Sequence, residues 1–216
     1  MTYEGCRLKI LKILLFYFAK GHQKKLKCKD FSVISNNCWG GLLYESYDLL
    51  KQSPTMGMFF MPGDYIKFLT GLKSYTSMTL NFISPFSSKY VEELKKDKRF
   101  GTYPIGVLDD LELMFLHYHS EQEARDKWER RCRRINWDKL IVKFDDQNGC
   151  TEEHVKAFAE MPFKHKLFFT IHDWKVEKWN GYCKIKQFTR DKCITISHEP
   201  LGWNRHIDLT KMINEL

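Results

Sequence analysis

Nowhere in the 216 residues do two cysteines stand at C-x-x-C spacing, and no Pro/Gly/Ser-rich linker, internal repeat or low-complexity tract interrupts the chain. The seven cysteines (Cys6, Cys28, Cys38, Cys132, Cys150, Cys183, Cys193) are odd in number and scattered. They make a poor disulfide framework and a poor zinc site, which points to a reducing cytoplasm. The eight histidines add no metal-ligand spacing, so no metal is expected. Neither G-x-G-x-x-G nor G-x-x-x-x-G-K-[ST] occurs, which removes the sequence grounds for a dinucleotide or Walker site. The apolar run Ile13–Ala19 is too short to span a bilayer, and no small-residue cleavage site follows it.

What is present is a chain able to fold. It is 43% hydrophobic and 15% aromatic, long enough for one large or two small cores. A formal net charge of +8 favours an anionic partner, although a Lys-rich surface is the plainer explanation. Nucleic-acid binding would rest on charge alone, because no motif for it is present.

"RLKILKILLFYFAKGHQKKLK" repeats apolar residues at helical spacing, with Lys9, Lys12 and Lys20 to one side or at its border. Either a packed core helix or a basic helix lying on an anionic membrane face, through residues 8–27, satisfies this pattern. Beyond it strand-like and helix-like segments alternate. Strands are expected at 31–35, 55–60, 78–83, 140–144 and 166–170. Helices are expected near 41–51, 64–72, 88–96 and 151–160. A hairpin turns at Asp109 and Asp110. Ser120 and Glu123 have capping-box spacing at the start of another helix. The expected fold is α/β: a mainly parallel, helix-covered, Rossmann-like sheet with an added antiparallel hairpin. Residues 1–30 form the N-terminal helix, 31–170 the core domain, and 171–216 an aromatic extension.

The stretch "FSVISNNCWGGLLYESYDLL" carries the first candidate site. Ligands of open α/β sheets bind outside the carboxyl ends of the strands. Gly40 and Gly41 allow close backbone approach, Asn36 and Asn37 offer donors and acceptors, and Trp39 offers a stacking surface. A tight turn with a core Trp39 is the competing reading. Cys38 at a helix start could favour its thiolate, but an inert buried thiol is the stronger interpretation.

The second constellation is His117 and Tyr118 at a strand end, followed on the next helix by Lys127, Arg131 and Arg134. That cationic stripe could grip phosphate through arginine forks, or lie solvated beside Glu123 and Glu129.

These blocks carry a resemblance. "FSVISNNCWGG", "SPT", "DYIKFL", "YPIGVLDDLELMFLHYHSEQEARDKWERRCRRINWDKL" and "FKHKLFFT" resemble successive blocks of a bacterial family whose members are assigned to capsular and exopolysaccharide biosynthesis loci, some as acetyltransferases. The similarity spans about residues 31–170. It implies a transferase, cytoplasmic or peripheral to the inner membrane face, that uses a nucleotide-sugar or acyl-CoA donor and a carbohydrate acceptor. On this reading Asn36–Gly41 and Tyr118 help hold ligand, and Lys127, Arg131 and Arg134 neutralise donor phosphate. His117 is the general base, oriented by Asp109 or Asp110. A non-catalytic sugar- or nucleotide-binding component of a biosynthetic assembly is the alternative.

Overall fold

A computed structural model gives the structure of the protein, and residues 3–185, 199–202 and 206–216 are described. Cys193 lies outside the described residues, as does the side chain of Cys6. The described thiols Cys28, Cys38, Cys132, Cys150 and Cys183 are free.

Among the described residues, seven strands form two sheets. They are β1 (Ser32–Ser35), β2 (Asn81–Ile83), β3 (Ile105–Leu108), β4 (Leu111–Met114), β5 (Leu140–Asp145), β6 (His165–Thr170) and β7 (Tyr182–Lys184). A four-stranded, fully parallel sheet runs β1-β5-β6-β7, and a separate antiparallel sheet runs β2-β3-β4. The helices are α1 (Tyr3–Gln23), α2 (Trp39–Ser46), α3 (Pro62–Thr70), α4 (Leu72–Tyr75), α5 (Val91–Leu94), α6 (Glu121–Cys132), α7 (Glu152–Glu160) and α8 (Leu209–Asn214). The expected mixed α/β class is therefore correct, with the hairpin enlarged to a sheet of its own.

Strand alternation explains the layering. Successive side chains point to opposite faces, so Val33 and Ile34 belong to different cores. Ile34, Val142, Phe144 and Phe168 pack with α3, α6, α7 and the hairpin. Val33, Ile141, Leu167 and Phe169 pack with α2 and α8. The antiparallel sheet repeats the rule, with Leu113 facing the first of these cores and Ile105 and Met114 facing a smaller third one.

Three local expectations need correction. The expected strand at 55–60 is an irregular segment with one isolated bridge, Phe59 to Met114. Its groups are divided between β1 and β4, and Gly57 at φ +66° breaks the extended run. The expected helix at 88–96 shortens to Val91–Leu94. At the start of α6, Ser120 Oγ accepts from the Glu123 amide at 3.1 Å, but Glu123 reaches back to the His119 amide at 2.9 Å, one residue before the cap.

Gly106 sits where the two layers press together. A Cβ there would come 2.6 Å from Phe115 Cε2 and 2.8 Å from Leu80 Cδ1. Interiors packed this closely respond to one added methyl group by shifting rings. Gly106→Ala is therefore expected to lower unfolding stability by about 1–3 kcal/mol, the usual range for overpacking. Urea denaturation measures it, and an unchanged midpoint would show that the ring pair has room to move.

Candidate functional site

The carboxyl ends of β1 and β5 meet around one fully buried cation. Lys143 is 0% exposed in a strand otherwise built of apolar residues and a terminal aspartate. An ammonium has three N–H donors, and each finds an acceptor. Lys143 Nζ pairs with Asp145 Oδ2 and donates to Asn36 Oδ1 at 3.2 Å and Asn37 Oδ1 at 3.1 Å. The amides answer: Asn36 Nδ2 donates to Asp145 Oδ1 at 2.9 Å, and Asn37 Nδ2 donates to Asp145 Oδ2 at 2.7 Å. Burial pulls the Lys143 pKa down, while the neighbouring Asp145 carboxylate opposes that shift.

This network fixes the loop that opens α2. Asn37 Oδ1 also accepts from the Trp39 amide at 3.1 Å, which sets the helix start. Trp39 itself is 0% exposed, lies against Phe169 and donates through Nε1 to Glu199 at 3.2 Å. It is a core residue, so it offers a ligand no stacking face. Gly40 is buried against Val33, where a Cβ would approach to 3.2 Å. Asn36 is likewise buried, and both its amide atoms are used within the network.

The segment 55–60 ties this loop to the hairpin. Thr55 Oγ1 accepts from the Ser35 amide at 3.0 Å, and the Phe60 amide donates to Asn36 O at 3.0 Å. Phe59 and Met114 exchange both backbone bonds at 3.0 Å, and the His117 amide donates to Gly57 O at 2.9 Å. A Cβ on Gly57 would lie 3.3 Å from both His117 Cβ and Tyr118 Cε2, so only glycine fits this left-handed position without displacing them.

The result is a cleft of about 620 Å³ bordered by Asn37, Cys38 and Gly41 on one side and by Gly57 and His117 on the other. The loop and His117 thus border one cleft, although His117 follows β4 of the antiparallel sheet and not a strand of the parallel one. Its other polar lining comes from Arg99, Asp97, Lys12, Lys51, Glu45, Gln147 and Asn148, and Leu42, Phe59 and Leu116 add apolar surface. Arg99 is held by Asp97 through two nitrogens, at 3.1 and 2.8 Å, and Lys51 pairs with Glu45 at 2.5 Å. Partial burial, and then the Arg99 charge, lower the His117 pKa, so its imidazole is neutral at physiological pH. Burial raises the Cys38 thiol despite Lys143 and Arg99 nearby, which is the opposite of thiolate activation.

Other expected site residues lie elsewhere. Asp109 and Asp110 make the β3–β4 turn, Asp109 at φ +55° and Asp110 paired with Lys67. Strand β4 separates that turn from His117, and its length of about 13 Å, at roughly 3.3 Å per residue, rules out direct orientation. Tyr118 is buried and donates to Met56 O at 2.6 Å. Arg131 donates to Tyr118 Oη at 2.6 Å, Lys127 pairs with Glu123 at 2.5 Å, and Arg134 is exposed. None of these three cations lines the cleft.

Sequence reasoning missed Asp145, Gln147 and Asn148. The same strand-end rule that flagged Asn36–Gly41 would have found them in "KFDDQNG", where β5 ends. Arg99 and Lys12 carry no such signal, because they arrive from a loop and from α1.

Two comparisons bear on kinship. A family described as "Domain of unknown function (DUF1919)" matches residues 10–214, wider than the 31–170 span of the recognisable blocks. A protein of Haemophilus influenzae called "Uncharacterized protein" is 32% identical over 189 residues, which is 88% of this chain and 84% of that protein.

Removing one partner of a buried pair leaves the other charge uncompensated. Lys143→Met is therefore expected to cost roughly 3–5 kcal/mol of stability. Lys143→Met combined with Asp145→Leu should cost clearly less than Lys143→Met alone. Equal losses in chemical denaturation of the single and double variants would show that the pair is not the unit that matters.

Proposed function

The chain belongs to the DUF1919 family, and we propose that it is a cytoplasmic transferase in surface-polysaccharide biosynthesis, using an activated anionic donor and a carbohydrate acceptor. The observation that carries this reading is the neutral, partly exposed imidazole of His117 on a cleft that also holds Arg99 and Lys12. The His117 ring accepts the proton of an acceptor hydroxyl. The hydroxyl oxygen attacks the electrophilic carbon of the donor, an anomeric carbon or a thioester carbonyl. A nucleoside diphosphate or coenzyme A thiolate then leaves with the bonding electrons. Arg99, presented by Asp97, and Lys12 supply positive charge toward the donor phosphates. Asn37 contributes loop backbone and shape to the cleft, since its amide is engaged with Lys143 and Asp145.

A second reading has its own support. So many polar groups of the Asn36–Gly41 loop are used inside the network that the cleft keeps few side chains for chemistry. A non-catalytic sugar- or nucleotide-binding component fits that economy.

A thermal-shift screen of nucleotide sugars, acyl-CoAs and free nucleotides identifies the donor class, because a ligand of the native state raises Tm. With the donor in hand, His117→Ala is expected to lower turnover by about 10²–10⁴-fold and leave affinity nearly unchanged. Activity of the unmodified protein should fall as pH drops through the depressed His117 pKa, below the ordinary imidazole value, and stay level toward neutrality. Arg99→Ala should weaken donor binding, and that loss should shrink at high salt because the side chain is exposed. A folded His117→Ala protein with full activity removes the base. Tight binding without turnover of any donor favours the binding component.

A further inference from the structure

Helix α1 leaves an apolar face uncovered. Ile10 is 57% exposed, Ile13 63%, Phe16 84% and Tyr17 71%. At 100° per residue these four fall within an arc of about 120°. The opposite side carries Leu11, Leu14 and Leu15, which are partly covered, the buried Ala19, and Phe18, which is 51% exposed. The helix is therefore apolar on two sides, and the side of Ile10, Ile13, Phe16 and Tyr17 is the less covered.

Charge decides what covers that side. Between residues 9 and 29 the chain holds Lys9, Lys12, Lys20, Lys24, Lys25, Lys27 and Lys29 and no acidic residue. Lys9 and Lys20 fall on the same arc as the exposed apolar side chains but bracket them along the axis, about 16 Å apart at 1.5 Å per residue. Flexible lysine stems at the ends of an apolar patch can bury their methylenes and lift the ammonium to a headgroup layer. A second copy of this helix would instead bring like charges together. No described helix is long and apolar enough to cross a membrane, so the remaining geometry is one that lies in the surface.

We infer that α1 docks the protein on an anionic phospholipid bilayer, with Ile10, Ile13, Phe16 and Tyr17 inserted among the acyl chains and the lysines held at the phosphates. Docking stands apart from the transferase reading, because it rests on α1 alone. It has one consequence for the cleft: Lys12 belongs to both, so a docked α1 holds the cleft beside the lipid surface. Acceptors anchored in that surface are then within reach.

Co-sedimentation of the full chain with vesicles tests this. The protein should pellet with equimolar phosphatidylglycerol and phosphatidylcholine, and stay in solution with phosphatidylcholine alone. Raised salt should release it. Ile13→Ser with Phe16→Ser should weaken vesicle binding at least about tenfold, since two inserted side chains are lost. Both positions are exposed, and an unchanged circular dichroism spectrum checks the fold. Lys9→Glu with Lys20→Glu should weaken binding to the anionic vesicles without touching the apolar face. The inference fails if the unmodified protein ignores anionic vesicles, or if the serine variant binds them as well as the unmodified protein does. It fails equally if sedimentation velocity shows a dimer that the serine variant dissolves, because the face then belongs to a second copy.

Discussion

A lysine taken wholly out of water must find a counter-charge and three acceptors, and the architecture around the cleft follows from how Lys143 finds them. Strand β5 supplies the counter-charge itself, since Asp145 lies two residues on and therefore on the same face. The remaining two acceptors have to come from another strand. They come from Asn36 and Asn37, where the parallel neighbour β1 ends. A loop committed to these bonds cannot adjust freely, so the start of α2 and the near wall of the cleft are set by an interaction inside the protein. The asparagine pair is better understood as part of the core's polar network than as an exposed recognition element. Partly satisfied networks of this kind are costly, whereas complete ones specify a single arrangement.

The second wall belongs to a different sheet, and the two sheets share no strand pairing. What joins them is the irregular segment 55–60, which spends its hydrogen bonds on both sides. Thr55, together with Ser53 just before the segment, caps the outer edge of β1, the two side chains accepting from the amides of Ser35 and Val33. The segment's other side holds β4 and the backbone of His117. An edge strand covered by side chains in this way is closed to further pairing. Past the positive φ of Gly57 the bonds alternate, Phe59 pairing with Met114 and the Phe60 amide returning to Asn36 O.

Much of this was legible in the sequence, for reasons that can be named. The parallel sheet announces itself in "SVIS", "LIVKFD" and "HKLFFT", short runs rich in β-branched and aromatic residues with helical segments between them. The hairpin was visible because two alternating runs flank Asp109 and Asp110. The Asn36–Gly41 loop and His117 were each visible as strand ends, but their meeting was not, because His117 follows β4 of the antiparallel sheet and not a strand of the parallel one. What the sequence concealed depends on contacts distant along the chain. Trp39 reads equally as a stacking surface or a core ring until Phe169 and Glu199 are seen beside it. The segment 55–60 reads as a strand because nothing local shows its hydrogen bonds going to two different sheets. Lys143 looks like a surface break in an apolar strand, since Asn36 and Asn37 lie 107 and 106 residues away along the chain.

The cationic stripe of α6 shows how a helix outside the cleft still bears on it. Arg131 donates to the Tyr118 hydroxyl, and that hydroxyl donates to the Met56 carbonyl. Met56 precedes the glycine whose carbonyl receives the His117 amide. Lys127 sits 5.3 Å over the Tyr118 ring and is itself paired with Glu123. Both cations therefore act on Tyr118, and Tyr118 fastens the bridging segment next to the imidazole. Hydrogen bonds to a charged donor are stronger than neutral ones, so the guanidinium strengthens a bond chain that ends at the cleft. The arginine best suited by sequence to hold an anion is used instead to hold the residue beside the candidate base. Positive charge at the cleft comes from Arg99, Lys12 and Lys51, which reach it from loops and from the N-terminal helix.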